Sequence, residues 1–412
     1  MNRSLGKRFS QLWVASGSAN LGDGVLAVAL MLVAARLTDS ATLVAAVAVA
    51  SQLPNALATL PAGALADRLD RRRLMVTVNV VRASTVTIAA VLELTGTLNL
   101  PALYVVAFVL GASEVFVDAT AQSTVPMVVA RDRLPAANGR LMATQMTANE
   151  FVGGPLAGVL VAIAVVWALA APAVLYLVAA VVLLRMPGHY RAQREGPPTR
   201  IRTDIAEGVR YLTRHRLLRT LAAMAVLVNI ASSGVFAIFV LYVVGPGSPM
   251  QLPEPAFGLL LACVAAGAVI GSVLAERVQR HLGRVRLLLA AVIGFAVAFA
   301  VPALTTATAP VAIALFTAGL FMMLANVIMV SLRQLIVPEG LLGRTNATMR
   351  LLGVGLAPVG AALAGPTADL IGLQAVFLGA ALLTLLALPG FLIVTEDHLA
   401  RAEQPSADRA QP

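Results

Sequence analysis

The feature that most constrains the fold is a series of long apolar runs separated by short charged segments. Each run is about 20 to 26 residues long, the length that a helix needs to cross the hydrocarbon core of a bilayer. Mean hydropathy is +0.87 and only 12% of residues are charged, which is too little polar surface to cover a water-soluble globule. The runs also lack the alternation of a membrane β-barrel. The sequence therefore predicts an all-α membrane protein, because a helix in lipid satisfies its own backbone hydrogen bonds.

Charged runs and clusters of Pro and Gly divide the chain into twelve predicted spans. These lie at 10–35, 41–66, 74–96, 101–126, 141–164, 168–187, 219–244, 256–276, 285–305, 309–332, 344–368 and 372–394. Only Trp167 and Pro172 mark the turn between the fifth and sixth spans. Lys and Arg fall almost wholly in alternate loops, so the positive-inside rule predicts that both termini are cytoplasmic.

The longest polar stretch lies in the middle of the chain and separates two sets of six spans. The predicted domains are a first six-helix bundle (1–187), a cytoplasmic linker (188–218), a second bundle (219–395) and a disordered cytoplasmic tail (396–412). Within the linker, Thr203, Asp204 and Glu207 form a helix start signal, and apolar residues follow at helical spacing. We expect a short basic helix on the inner membrane surface.

The second half of the chain repeats the first. "GALADRLDRRRLM" from Gly63 aligns with "GSVLAERVQRHLGRVRLL" from Gly271, and "LPAANGRLMATQ" from Leu134 aligns with "LLGRTNATMRLL" from Leu341. The offset is about 208 residues throughout, and such duplication is typical of transporters whose two halves rock about a central site. The sequence therefore predicts two pseudo-symmetric six-helix bundles.

The first of these segments resembles the signature loop of the major facilitator superfamily, which reads roughly G-x-L-A-D-R-x-G-R-R. Asp70 stands where that family usually has Gly. The resemblance implies that this loop and its repeat form a conformational latch between the two halves. The implied latch residues are Gly63, Asp67, Arg68, Arg71, Arg72, Glu276 and Arg277. The alternative for Arg71, Arg72 and Arg73 is that they only anchor the loop in the cytoplasm.

A second motif, "EFVGGPLAG" from Glu150 to Gly158, is similar to the G-x-x-x-G-P-x-x-G-G signature of exporters in that superfamily. Gly154 and Gly158 form a small-residue face that allows close helix approach, and Pro155 interrupts the backbone ladder. Packing alone is the other interpretation of these glycines.

Together with "GSANLGDG", "ATAQSTVP" and "DIAEGVRYL", these motifs resemble a subfamily of twelve-span bacterial exporters of siderophores, macrolides and other drugs. The resemblance implies an inner-membrane transporter that exports an amphipathic small molecule. The alternatives are a small-solute importer or a lipid transporter of the same fold, or a membrane sensor or scaffold that has lost transport.

The energy source is predicted to be an ion gradient. Lys7 is the only lysine and it follows no Gly-rich turn, so the chain has no P-loop for ATP. No arrangement of nucleophile and base lies at one membrane depth, and the four histidines have no metal-ligand spacing, so we expect no enzyme activity, no cofactor and no metal. The net charge of +10 indicates contact with anionic membrane lipids and not with nucleic acid. The expected partners are a small-molecule substrate, protons and lipids, and the expected state is a monomer.

Ionisable side chains within apolar spans are costly and are therefore candidate functional groups. Asp23 lies between Gly22 and Gly24 in the first span, and it is predicted to bind substrate or proton. Glu114 and Asp118 lie one helical turn apart in the fourth span, where two carboxylates resist ionising together, so this pair is predicted to carry a proton. The alternative for Asp118 is a solvated position at the cytoplasmic interface. Glu150 is predicted to pair with Arg82 or with a residue of the fourth span, whereas Arg82 alternatively reaches the inner surface.

Neutral polar residues at cavity depth are the remaining candidates. They are Asn20, Gln122, Gln145, Asn149 and Asn229. The first half carries most of the buried charge, so an amphipathic substrate that is neutral or cationic is favoured.

Overall fold

The computed structural model describes residues 5–188, 190 and 201–396, so the predicted tail lies outside the described residues except for Glu396. The helices are α1 (Lys7–Leu37), α2 (Ala41–Arg68), α3 (Arg71–Leu94), α4 (Leu100–Val128), α5 (Leu134–Met146), α6 (Gly154–Ile163), α7 (Val165–Leu184), α8 (Ile201–Arg214), α9 (Arg216–Val243), α10 (Glu254–Leu282), α11 (Arg284–Leu304), α12 (Thr308–Ile336), α13 (Glu339–Gly355), α14 (Ala357–Ile371) and α15 (Leu373–Leu385). A π-helical segment, Thr147–Gly153, joins α5 to α6. Among these residues the one β-type pairing is an isolated bridge between Val244 and Leu252.

The predicted all-α membrane architecture is confirmed. Within the described part of the chain, eleven helical stretches are long and apolar enough to cross a membrane. The remaining predicted span, the second (41–66), coincides with α2, which is apolar over Ala41–Leu57. The fifth span is a composite of α5, the π segment and α6, and the eleventh is divided between α13 and α14.

The fifth and sixth spans separate where the predicted bounds place the break, but the two residues expected to mark the turn do not form it. The helix is interrupted at Ala164, which has extended backbone angles (φ −168°, ψ 139°), whereas Trp167 and Pro172 lie inside α7. One extended residue is enough to interrupt the helical hydrogen-bond ladder. An alanine within an apolar run carries no composition signal that would mark this position.

The described chain divides into two compact units. The first contains residues 1–196 with 237–262, and the second contains 197–236 with 263–412. In the first unit, α1 packs against α7, α6 and the π segment, α2 packs against α4, and α3 packs against both α4 and α7. In the second unit, α11 packs against α12 and α15, and α8 packs against α13. Helix α1 therefore has an interior position in the first unit.

The predicted linker helix is present as α8, although it begins before its expected start signal. Its Glu207 carboxylate forms an ion pair with Arg344 of α13. Its Tyr211 hydroxyl donates to the carbonyl of Ile336 at 3.3 Å. Leu212 is only 3% exposed and packs in an apolar cluster of the second unit. One face of α8 is therefore held by protein contacts, and its location on the membrane surface stays a prediction.

Candidate functional site

A partly buried ion pair lies inside the first unit, where three candidate spans meet. Arg82 of α3 is 0% exposed, and its Nη1 atom lies 3.2 Å from both carboxylate oxygens of Asp23 in α1. The Tyr176 hydroxyl of α7 donates to Asp23 Oδ1 at 2.6 Å. The Arg82 guanidinium also lies 5.3 Å from the centre of the Tyr176 ring, within the range of a cation–π contact. Asp23 is thus held by two partners from two different helices.

The glycines that flank Asp23 allow this arrangement. A Cβ atom added at Gly22 would lie 3.1 Å from the Tyr176 ring, and one added at Gly24 would lie 2.5 Å from the Cα atom of Asn149. Helix α1 runs without interruption through both glycines. They therefore allow close packing against α7 and the π segment.

The π segment touches α1 next to Asp23. A Cβ atom at Gly153 would lie 2.6 Å from the Cα atom of Gly24, so these two backbones meet directly. The Oδ1 atom of Asn149 is buried and has no hydrogen-bond partner within the described structure. The side chain of Glu150, which is also in this segment, lies outside the described residues. π-helical turns are frequent at functional sites, and this one lies against the helix that carries Asp23.

Two further carboxylates lie near Arg82. Glu114 and Asp118 of α4 are both within electrostatic range of its guanidinium. Glu114 is exposed and Asp118 is half-buried. Since a carboxylate is not stable against lipid tails, an exposed Glu114 in a membrane span requires a polar environment. One buried arginine therefore has three carboxyl groups within electrostatic range.

The structure decides one of the two sequence alternatives for Arg82. Its complete burial excludes a position at the inner surface, and its observed partner is Asp23, which was not predicted. A pairing with Glu150 stays a prediction. Sequence reasoning missed Tyr176. One feature of the sequence could have identified Tyr176: it carries a hydroxyl within an otherwise apolar helix, and a buried tyrosine hydroxyl requires a hydrogen-bond partner.

The neutral polar candidates do not converge on this ion pair, apart from Asn149. Asn20 and Asn229 each donate to a carbonyl one turn earlier in their own helix, at 2.7 Å and 2.8 Å. Gln122 is exposed and Gln145 is half-buried. Their roles in a cavity stay predictions.

The predicted latch residues that the structure describes lie at the start of α3 and near the end of α10. Arg71 donates to the Ser123 carbonyl at 2.6 Å, and Arg72 donates to the Met186 carbonyl at 2.6 Å. Both arginines therefore connect α3 to other segments of the first unit. Glu276 and Arg277 are exposed, and the side chains of Asp67 and Arg68, like the surroundings of Gly63, lie outside the described residues. The latch itself stays a prediction.

Asp70 caps the start of α3. Its Oδ1 atom accepts from the Arg73 amide at 3.0 Å, and its Oδ2 atom accepts from the Tyr190 amide at 3.1 Å. Partial burial raises the pKa of Asp70, but these two amide hydrogen bonds and the charges of Arg72 and Arg73 outweigh it and hold the pKa below its ordinary value.

Replacing Asp70 by alanine is expected to lower the free energy of unfolding by about 1 kcal/mol, because the α3 cap is lost. Since the pKa of Asp70 is lowered in the fold, its contribution is present above the ordinary value of 3.8 and is lost as the pH falls through the folded pKa. Thermal unfolding of the purified protein in detergent tests this. The native protein and Asp70→Ala should differ at pH 7 and converge in acid, whereas Asp70→Asn should keep most of the cap. Equal unfolding temperatures at pH 7 would contradict the assignment.

The predicted helix-packing motif lies against the start of α10, within the first unit. A Cβ atom at Gly158 would lie 2.7 Å from the Glu254 carbonyl oxygen and from the Pro255 Cα atom. Gly154 and Gly258 are in direct backbone contact. Side chains larger than hydrogen do not fit at Gly158 or Gly258 without movement of a backbone.

An ion pair lies beside this contact. The Arg36 Nη2 atom donates to Glu254 Oε1 at 2.7 Å and to the Val161 carbonyl at 3.1 Å. Arg36 therefore joins the end of α1 to α6 and to the start of α10. Its side chain is 43% exposed, so this pair contributes little stability by itself.

Apolar helical spans that enclose an ion-paired acid are the features expected of a membrane transporter. The chain belongs to the transmembrane secretion effector family of the major facilitator superfamily, whose family model matches residues 5–411. It is 30% identical over 345 residues to the multidrug efflux pump Tap of Mycolicibacterium fortuitum, a match that covers 78% of this chain and 79% of that protein. The multidrug efflux pump Tap of Mycobacterium tuberculosis is 26% identical over 256 residues, covering 61% and 59% of the two chains.

Solved structures show the same fold at low sequence identity. A point mutant of the nucleoside transporter NupG superposes with a TM-score of 0.78 at 12% identity and covers 94% of this chain and 100% of its own. A bacterial homologue of the human lysosomal transporter Spinster, in an inward-facing and unoccupied conformation, gives 0.71 at 14% identity, covering 97% and 98%. The predicted major facilitator fold is therefore confirmed.

Proposed function

We propose that this transporter exports an amphipathic small molecule across the bacterial inner membrane in exchange for protons. The observation that carries the proposal is the Asp23 carboxylate within α1, paired with a buried arginine. A carboxylate can accept a proton within the accessible pH range, while an arginine stays charged. This makes Asp23 a group whose charge changes with proton binding inside the membrane.

Outward direction and an amphipathic substrate are supported by the relatives. Both related proteins are named as multidrug efflux pumps. The three carboxylates around one arginine favour a substrate that is neutral or cationic. The Lys and Arg distribution supports cytoplasmic termini, and the protein is proposed to act as a monomer.

Transport by inverted membrane vesicles tests this function. Vesicles from cells that produce the chain are given an acidic interior, and uptake of the fluorescent amphipathic cation ethidium is followed by its binding to enclosed DNA. We expect uptake above that of vesicles without the protein, and collapse of the pH gradient should abolish it. Uptake that survives the collapse would contradict proton exchange. Uptake only by right-side-out vesicles would indicate import, and no transport of any probe would favour a sensor or scaffold.

A further inference from the structure

Arg82 is the group in the first unit whose bonding is least complete. Its guanidinium has five N–H donors and stays charged at every accessible pH. The Nη1 atom bonds Asp23, but the Nε and Nη2 atoms are buried and have no hydrogen-bond partner among the described residues. Buried donors without a partner are rare in native proteins. Arg82 therefore has donors available for a second acceptor while it is paired with Asp23.

The titratable side chains around Arg82 identify that acceptor. On α1 the facing group is Asp23, on α7 it is Tyr176, and on α4 they are Glu114 and Asp118. The π segment carries Glu150, whose side chain lies outside the described residues. The described groups with a negative charge, other than Asp23, are therefore the two carboxylates of α4.

Tyr176 is placed so that Asp23 does not depend on Arg82 for its position. The Tyr176 hydroxyl bonds Asp23 Oδ1 at 2.6 Å, and a carboxyl oxygen accepts this bond whether the acid is charged or neutral. The ring of the same tyrosine lies 5.3 Å from the guanidinium. Asp23 can therefore keep its orientation when Arg82 changes its partner.

We propose that Arg82 exchanges partners between Asp23 on α1 and the Glu114 and Asp118 carboxylates on α4, and that Tyr176 is the positioning residue for this exchange. A proton from water adds to an Asp23 carboxylate oxygen and leaves a neutral acid. Arg82 keeps its proton and its charge, and it pairs with the α4 carboxylates. Release of the proton from Asp23 to water restores the first pair. The proposal deepens the proton coupling of the proposed function and rests on it.

A stability cycle tests the exchange without requiring any transport. Three variants of the chain are purified and unfolded thermally in detergent beside the native protein. The first is Asp23→Asn, the second carries both Glu114→Gln and Asp118→Asn, and the third combines all three changes. If Arg82 has two alternative partners, each set of changes removes one partner and leaves the other in place. The combination should then lower the unfolding temperature by at least about 4 °C more than the sum of the two separate effects. Additive effects would overturn the proposal.

The same cycle in an Arg82→Gln background is the matched control. Without the arginine charge, the acids no longer share a partner, so the two sets of changes should become additive. Non-additivity that persists in Arg82→Gln would mean that the acids interact without the arginine, and this would also overturn the proposal.

Tyr176 is tested by the carboxyl C=O band of protonated Asp23. Infrared difference spectra of the protein in lipid report this band, and Asp23→Asn identifies it. A hydrogen bond to the carboxyl oxygen lowers the C=O stretching frequency, so Tyr176→Phe should move the band to higher wavenumber if Tyr176 holds the protonated acid. Tyr104→Phe, which removes a hydroxyl that bonds the Leu43 carbonyl, should leave the band unchanged. An unchanged band in Tyr176→Phe would show that Tyr176 does not hold the protonated acid and would overturn its positioning role. A protein that shows this band shift and the non-additive unfolding but transports no probe would overturn the proposed function and leave the exchange intact.

Discussion

Asp23→Asn is expected to lower the initial rate of proton-driven ethidium uptake by inverted vesicles at least about ten-fold. The amide has nearly the shape of the carboxylate and still accepts the Tyr176 hydrogen bond, but it takes up no proton at accessible pH. The site then resembles its protonated form permanently. Exchange of ethidium between two equal pools should survive, because that reaction needs no net proton movement.

Asp39→Asn is the matched control for this change. Asp39 is an exposed carboxylate in the loop between α1 and α2, so its neutralisation should leave ethidium uptake at the native rate. Full proton-driven uptake by Asp23→Asn would exclude Asp23 as the coupling group. Loss of both uptake and exchange would show instead that Asp23 is needed for substrate binding.

Gly24→Ala is expected to destabilise the fold by about 1 to 3 kcal/mol. The added Cβ atom would lie 2.5 Å from the Cα and carbonyl oxygen atoms of Asn149. These are backbone atoms that no side-chain rotation moves aside, so α1 and the π segment must separate. Thermal unfolding of the purified protein in detergent measures the effect.

Gly139→Ala is the control for helix propensity. Gly139 lies in α5, and a Cβ atom there would have no atom within 4 Å. Alanine in an open helical position should leave the unfolding temperature unchanged or raise it slightly. A similar result for Gly24→Ala would mean that the contact between α1 and the π segment is not under steric constraint.

Most of the fold could be predicted because a span has a strong and simple signal. About twenty apolar residues between charged segments permit few structures other than a membrane helix. The signal fails where a helix is interrupted inside an apolar run. Neither the extended Ala164 nor the π turns of Thr147–Gly153 change the local hydropathy, and the π segment packs against α1.

The candidate site was predictable only in part, for a similar reason. Asp23 stands out in the sequence because a charge within an apolar span needs an explanation. Its pairing with Arg82 could not be derived, since Glu114, Asp118 and Glu150 also carry charge in spans of the same unit. The choice among these acids depends on which helices are neighbours, and α3 packs against α7 and α4. Tyr176 was missed because one hydroxyl hardly changes the hydropathy of α7.

The main-chain contact between α1 and the π segment limits how this transporter can diversify. Where Gly24 and Gly153 meet, no side chains lie between the two backbones to absorb a shift. The two segments are therefore expected to move together when the acid in α1 gains or loses its charge. A side chain at either position would push the two backbones apart. New substrate preferences are therefore expected to arise from residues on the remaining faces of α1.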